Sequence, residues 1–261
     1  MFQSFSVFNL FNLYLLPIFI ILAAFFGSFV FWRLLHQRAF YHEFEIFDGF
    51  LLSLFFGFLS GRFIYIIIHW PQFHWHFWRW LNFFAHPGIA VFAAIFTSGL
   101  YLTYFLKKQK ITNLEILDYW SRATCLGLVF YNFGLFLDGS GSGYITENPI
   151  GLNFPGLTAK VHPTQLYAFA FFLILFFFLS YLEKNYRTYN WYRGHRSQAK
   201  AGFIYITFLL AFSLYSLFAL NFQPSNYSYR NLSLDWIFYL LIIIYALYLL
   251  YRNCLYVARK K

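Results

Sequence analysis

Seven apolar stretches, each about as long as a bilayer is thick, dominate this sequence of 261 residues. A helix needs about 20 apolar residues to cross the hydrocarbon core of a membrane. Hydrophobic residues make up 61% of the chain and charged residues only 11%, whereas soluble domains contain about 25% charged residues. We therefore predict an all-α integral membrane protein with seven transmembrane helices, at Leu13–Trp32, Gly49–Trp70, Ala85–Leu106, Leu114–Leu137, Pro163–Leu182, Gly202–Phe222 and Leu234–Tyr251.

The basic residues indicate how these spans are oriented. Most of the 19 Lys and Arg residues follow the first, third, fifth and seventh spans, as Lys107, Lys108 and Lys110 do. By the positive-inside rule, the N-terminus lies outside and the C-terminus lies in the cytoplasm. The net charge of +10 then reflects topology and attraction to anionic membrane lipid, and we expect no nucleic-acid partner. Residues 1–32 carry no charge, so we expect the first span to be retained rather than cleaved as a signal peptide.

One long connection interrupts the apolar pattern, at residues 138–162. It is rich in Gly, Ser, Asn and Pro and is predicted to lie outside the cell. Its length exceeds that of ordinary connections, which is typical of a functional loop or of a flexible crossing. Such a loop exposes backbone N–H groups that can bind an anionic headgroup. No internal repeat stands out, and we predict a single polytopic membrane domain over residues 1–261.

Ionisable side chains inside a membrane span are costly and mark candidate functional positions. Arg62 lies in the second span, and its guanidinium could grip two oxygens of a phosphate. The alternative is an arginine that extends its charged end to the membrane surface. His86 lies at the outer end of the third span, where an imidazole can act as a general base near neutral pH. The alternative is a polar residue that merely ends the helix.

A second group of polar residues enters the membrane with the fifth span. His162 is followed by Thr164, Gln165 and Tyr167, which predicts a buried hydrogen-bond network that serves either function or helix packing. Asn132 and Asp138 flank the outer half of the fourth span. Together with Arg62, His86, His162 and Arg230, these residues predict a site for a polar or anionic group at the outer membrane interface.

Two further patterns resemble metal sites and are interpreted otherwise. His74 and His76 lie among Trp and Phe residues, a composition typical of the aromatic belt at a membrane interface. Cys125 and Cys254 lie too far apart in sequence for a disulfide framework or a multi-cysteine metal site. We therefore expect no metal ion.

Several motifs resemble those of one known family. The sequence His-Pro-Thr-Gln-Leu-Tyr at residues 162–167 is similar to its His-Pro-Ser/Thr-Gln-Leu-Tyr-Glu, and Ser-Gly-Arg-Phe-Ile-Tyr at 60–65 is similar to its Gly-x-Arg-Leu-x-Tyr. Phe-Ala-His-Pro-Gly at 84–88 resembles its Ser-Phe-His-Gly-Gly. Residues 118–139, ending in Gly139, align with its signature without a gap. Over nearly its full length, the chain thus resembles bacterial prolipoprotein diacylglyceryl transferases.

The resemblance implies a seven-span enzyme of the bacterial plasma membrane with an outward-facing site. It implies transfer of the diacylglyceryl group of phosphatidylglycerol to the lipobox cysteine of prolipoproteins, without a metal or organic cofactor. By resemblance, His86 is the base and Arg62 a second catalytic residue. The predicted substrate-binding residues are Tyr65, Asn132, Asp138, Gly139, His162, Gln165 and Tyr167, together with Arg230 from the polar residues on the outer side.

Several charged residues of the family pattern are replaced. Asn132 stands at an arginine position, and Ser140 and Ala168 stand at glutamate positions. Two interpretations follow: a divergent transferase that relies on Arg62, His86, Arg230 or Lys160, or a catalytically reduced relative that binds lipid or lipoprotein precursors without transfer. We favour the first, because a reduced relative need not keep His86 and the motif at 162–167. A transporter is disfavoured, because the cytoplasmic halves of several spans are almost wholly apolar.

Overall fold

The computed structural model describes residues 4–7, 11–37, 42–83, 86, 88–111, 114–154, 157–185, 201–224, 228–229, 232–233 and 235–258. Side chains are described in these ranges except at residues 4–7, 11–14, 228–229, 232–233 and 253–258. Arg230 and the side chain of Cys254, both singled out by the sequence, lie outside the described part.

Helices account for most of the described chain. They are α1 (Leu15–His36), α2 (Glu43–Ile68), α3 (Trp70–Phe73), α4 (Phe77–Leu81), α5 (Val91–Lys108), α6 (Glu115–Asp138), α7 (Thr164–Glu183), α8 (Phe203–Ala219) and α9 (Asp235–Ala258). Two short antiparallel hairpins, which the sequence did not predict, join β1 (Ser4–Val7) to β2 (Phe11–Tyr14) and β3 (Ser228–Tyr229) to β4 (Leu232–Ser233).

A long helix lies at each of the seven predicted spans, although α2 and α5 begin several residues away from the predicted starts. Helix α2 begins at Glu43, six residues before the predicted Gly49, because Glu43 and Glu45 in its first turn complement the positive end of the helix dipole. Helix α5 begins at Val91 rather than Ala85, since Gly88 has a φ angle of 150°, which a helix cannot accommodate.

Length and composition support membrane insertion of this all-α chain. Helices α1, α2 and α7 and residues Asp235–Arg252 of α9 are long and apolar enough to cross a bilayer. Helix α8 is apolar but has only 17 residues. Large apolar side chains, such as Phe25, Phe63 and Ile174, lie exposed along these helices, as expected of surfaces that face lipid. The count of seven spans and their orientation stay predictions.

The described chain divides into two compact units. Unit A comprises Met1–Ser140, with helices α1 to α6, and unit B comprises Gly141–Lys261, with helices α7 to α9. The single domain over residues 1–261 stays a prediction.

Glycines bring the helices of unit A into close backbone contact. Helix α2 packs against α5 through Gly57 and Gly61, and a Cβ at Gly57 would lie 2.8 Å from the Ala94 carbonyl oxygen. The Ala90 N–H donates a hydrogen bond of 3.0 Å to the Gly61 carbonyl. Helix α1 packs against α6 in the same manner, with Gly27 facing the Ala123 backbone. In membranes, where lipid is as apolar as the side chains, such close packing is a main source of helix association.

A buried polar chain links three helices of unit A. The Trp120 indole N–H of α6 donates to Ser98 Oγ of α5 at 3.0 Å, and Ser98 Oγ donates to Ser53 Oγ of α2 at 3.3 Å. Trp120, Ser98 and Ser53 are all buried. The chain therefore fixes the register of α2, α5 and α6.

Stacked aromatic rings pack the helices of unit B. Phe171 of α7 stacks on Tyr215 of α8 with centroids 4.2 Å apart. Phe212 of α8 contacts Tyr239 of α9 edge to face at 6.2 Å. Such pairs contribute about 0.5–1.5 kcal/mol each beyond the area that they bury.

We expect Gly57→Ala to destabilise unit A, because the new Cβ must displace the backbone of α5. Overpacking of this kind costs about 1–3 kcal/mol. Gly99→Ala is the matched control, since a Cβ there would meet Trp120 at an ordinary 3.4 Å. Thermal unfolding in detergent should give a lower midpoint for Gly57→Ala than for Gly99→Ala. Equal midpoints would contradict close α2–α5 packing.

Candidate functional site

The charged group of Arg62 is buried near the end of α2 and donates to four backbone carbonyls. Only 6% of the residue surface is exposed. Nη1 donates to the carbonyl oxygens of His86 at 2.7 Å and Gly88 at 3.1 Å. Nε donates to that of Trp80 and Nη2 to that of Arg79, both at 3.2 Å. One guanidinium thus holds two separate parts of the connection between α2 and α5.

Aromatic rings surround the same guanidinium. Its central carbon lies 5.1 Å from the ring centroid of Phe73, 5.5 Å from that of Phe83 and 5.9 Å from that of Tyr65. Cation–π attraction at these distances contributes about 0.5–2 kcal/mol, with the larger values where water is excluded. The rings and carbonyls together replace the hydration that the buried charge has lost.

Gly88 allows the connection to pass directly over the Tyr65 ring. A Cβ at position 88 would overlap the phenol ring, and the φ angle of 150° is one that other residues rarely adopt. The close approach explains why the second Gly of the motif around His86 is required here. It also places Tyr65 beside the chain that carries His86.

The His86 side chain is exposed on this fixed connection. Its backbone N–H donates to the Asn82 carbonyl at 3.1 Å and its carbonyl accepts from Arg62. The imidazole contacts the Phe73 ring edge to face, with centroids 6.0 Å apart. An accessible imidazole on a tethered backbone can accept a proton from a substrate without being displaced itself.

The hydrogen bonds that the Arg62 guanidinium already makes would compete with the phosphate binding predicted for it. A guanidinium has five N–H donors, and four of them point at carbonyls. A phosphate held by two donors would replace hydrogen bonds that are worth about 1.5–3 kcal/mol each. Phosphate binding and extension to the membrane surface both stay predictions, while the contacts favour a role in holding the chain.

The predicted residues at the end of α6 mainly terminate the helix. Gly139 has a φ angle of 79°, its N–H donates to the Phe136 carbonyl, and the Ser140 N–H donates to the Leu135 carbonyl. These are the two hydrogen bonds of a Schellman motif, which favours glycine at this position. The Asp138 carboxylate accepts from the Ser140 hydroxyl.

Tyr131 lies at this end of α6. Its phenol is close enough to both Tyr65 and Asp138 for their charges to act on it. Asn132 is buried and its amide donates to the Leu128 carbonyl of its own helix at 2.7 Å. Sequence reasoning missed Tyr131, because a search for ionisable residues in membrane spans passes over a phenol beside Asn132.

In unit B, the residues of the motif at 162–167 form a cluster of their own. His162 Nδ1 lies 3.2 Å from the Tyr167 hydroxyl, and the Phe222 ring contacts both side chains edge to face. The Thr164 hydroxyl donates to the Gly141 carbonyl at 2.7 Å. Gln165 is buried, as is Ala168 at the position of the family glutamate. The network predicted from the sequence thus includes His162 and Tyr167.

Backbone hydrogen bonds within the long connection of unit B hold it in place. Residues 143–152 pair with residues 160–162, through hydrogen bonds that join Gly143 to His162 and Leu152 to Val161. The Tyr144 N–H donates to the Phe222 carbonyl at 2.8 Å, beyond the end of α8. These paired N–H groups are not available to an anionic headgroup, and headgroup binding by the rest of the connection stays a prediction.

In the part of the chain that the structure describes, no three His, Cys, Asp or Glu side chains lie close enough to hold a metal ion. His74 and His76 lie exposed among aromatic residues of the α2–α5 connection.

We expect Tyr167→Phe to loosen the cluster in unit B, because it removes the hydroxyl that faces His162 but keeps the ring. The loss should be about 0.5–1.5 kcal/mol of unfolding free energy. Tyr181→Phe is the matched control, since Tyr181 is exposed on the same helix. Denaturant titration in detergent measures both variants, and equal losses would argue against the His162–Tyr167 contact.

Comparison with known proteins gives a family and several relatives. The family described as prolipoprotein diacylglyceryl transferase matches residues 4–252. The chain is similar to phosphatidylglycerol–prolipoprotein diacylglyceryl transferases from Clostridium tetani (28% identical, 58% of this chain and 64% of the relative) and Finegoldia magna (26%, 57% and 58%). The relative from Legionella pneumophila is 22% identical over 79% of this chain and 77% of its own length. The chain therefore spans less than two thirds of the first two relatives.

Proposed function

The chain belongs to the prolipoprotein diacylglyceryl transferase family, and on this premise we propose that it transfers the diacylglyceryl group of phosphatidylglycerol to the lipobox cysteine of prolipoproteins. The observation that carries the proposal is the exposed His86 imidazole, on a backbone that the buried Arg62 holds in place. The family is one of transferases. No observation on the described residues favours the alternative of a relative that binds without transfer.

The proposal includes the membrane arrangement. Seven spans, an outside N-terminus and a cytoplasmic C-terminus place His86 at the outer surface of a bacterial plasma membrane. The distribution of Lys and Arg supports this orientation. Phosphatidylglycerol would then enter from the surrounding lipid and the prolipoprotein from the outer face.

In the proposed reaction, the cysteine thiol gives its proton to the His86 imidazole, since the thiolate is the reactive nucleophile. The sulfur then attacks the carbon of the diacylglyceryl group that is bonded to the phosphate oxygen. A carbon–sulfur bond forms, and the bond from that carbon to the phosphate oxygen breaks. Glycerol phosphate leaves with both electrons of that bond. The imidazolium returns its proton to solvent or product, so the enzyme is restored without a metal or organic cofactor.

Arg62 acts in this proposal as a positioning residue. Its hydrogen bonds to the carbonyls of His86 and Gly88 fix the backbone on both sides of residue 87. A shift of about 1 Å in a catalytic group can cost about 100-fold in rate. Substrate binding is assigned to the residues that the sequence singles out: Tyr65, Asn132, Asp138, Gly139, His162, Gln165 and Tyr167 from the motifs, and Arg230 from the polar residues on the predicted outer side.

We expect His86→Ala to lower transfer by about 100-fold or more, the usual contribution of a general base. The assay uses purified protein in phosphatidylglycerol liposomes, with a lipobox peptide whose mass gain is followed alongside release of glycerol phosphate. Added imidazole should restore part of the rate by replacing the missing base. His76→Ala is the matched control, because His76 is exposed in the same connection. Undiminished transfer in His86→Ala would remove His86 from the mechanism.

We expect Arg62 variants to lower kcat while the KM for phosphatidylglycerol stays nearly constant, because the guanidinium positions His86. Arg62→Lys should keep part of the rate, since an ammonium offers three donors, whereas Arg62→Ala should lose more. Arg33→Lys, at an exposed arginine of α1, is the control. A raised KM with unchanged kcat would instead identify Arg62 as the phosphate clamp.

A further inference from the structure

The connection between α2 and α5 presents an exposed apolar surface that the proposed reaction does not use. Four side chains form it: Trp75 is 83% exposed, Trp78 82%, Phe77 62% and Leu81 62%. We call these four residues the aromatic surface. They lie beyond the end of α2, so they are not part of the lipid-facing side of a spanning helix.

The aromatic surface rests on a packed base. The ring centroid of Trp75 lies 5.1 Å from that of Trp70 and 6.4 Å from that of Trp80. Phe77 contacts the Trp80 ring at 5.9 Å, and the Trp80 indole N–H donates to the His74 carbonyl at 3.0 Å. Trp75 and Phe77 are therefore held in place before any partner binds, which lowers the entropic cost of binding.

Position and charge favour a lipid surface as the partner. The aromatic surface follows α2 directly, and α2 is long and apolar enough to cross a bilayer. Tryptophan combines an apolar ring with a polar N–H and favours the boundary between lipid and water. Arg79 is exposed within the same segment, and residues 49–114 contain no Asp or Glu. The segment therefore suits negatively charged headgroups and lacks any group that would repel them.

We propose that the aromatic surface docks into the headgroup region of an anionic phospholipid bilayer. The two tryptophans, Phe77 and Leu81 enter the boundary between headgroups and acyl chains, and Arg79 pairs with lipid phosphates. The docking is a property of the segment itself and holds whether or not the chain transfers lipid.

Arg62 connects this docking to the neighbouring histidine. Its Nε and Nη2 groups bond the carbonyls of Trp80 and Arg79, at the end of the segment. Its Nη1 group bonds the carbonyls of His86 and Gly88. Lipid that holds the aromatic surface at a given depth in the membrane therefore also holds His86 at a given depth. The importance of this depth for transfer rests on the proposed function.

Spin labels at single cysteines test the docking in the full chain. A nitroxide replaces Trp78 or Leu81, in a Cys254→Ser background in which the remaining Cys125 is buried. The control label replaces Glu147, which is exposed in the connection of unit B. Accessibility to oxygen and to a water-soluble nickel chelate is measured in liposomes of phosphatidylglycerol and phosphatidylethanolamine.

We expect the labels at 78 and 81 to be several-fold less accessible to the nickel chelate than the label at 147, and more accessible to oxygen. Equal accessibility to the chelate at all three sites would overturn the docking. Spin–spin broadening at 78 that disappears on dilution with unlabelled protein would assign the surface to a second copy and overturn it too. Protection at 78 that persists in His86→Ala, together with lost transfer, would support docking that does not depend on activity. Absent transfer in the parent chain with protection at 78 intact would contradict the proposed function and still support the docking.

Discussion

The buried charge of Arg62 is the constraint on which the α2–α5 connection of unit A depends. An ionised group within a membrane-spanning helix is stable only if polar or aromatic groups replace its hydration. Four carbonyls and three aromatic rings do so, and all the carbonyls belong to the α2–α5 connection. The chain must therefore fold back over the end of α2, and His86 is presented as a result.

Close helix packing provides the foundation for this arrangement. The connection is anchored at one end by the Ala90 N–H, which bonds the Gly61 carbonyl of α2. Gly57 and Gly61 permit that approach, and the chain from Trp120 through Ser98 to Ser53 fixes the register of the same helices. A few small and polar residues thus determine where Arg62 meets the carbonyls that it bonds. The many exposed aromatic residues are instead suited to contact with lipid.

Two positions that resemble charged positions of the family motifs hold buried, uncharged residues in this chain. Asn132 satisfies its amide within its own helix, and Ala168 is buried where a glutamate would need partners. Removing a charge from a buried position also removes the cost of desolvating it. At these two positions the chain therefore avoids the cost of a buried charge.

The sequence by itself determined the class of protein, the places of the seven long helices and the polar residues to consider, because apolar length and residue chemistry are local properties. It also predicted a polar network at residues 162–167, within which the structure places His162 beside Tyr167. Only the tertiary structure decided what Arg62 bonds, since its acceptors are carbonyls that lie 17 to 26 residues away and every residue type offers a carbonyl. The pairing of the loop N–H groups likewise depends on backbone contacts, which leave no distinctive residue type in the sequence. The close approach of Gly88 to the Tyr65 ring joins residues 23 positions apart, which only the folded chain brings together.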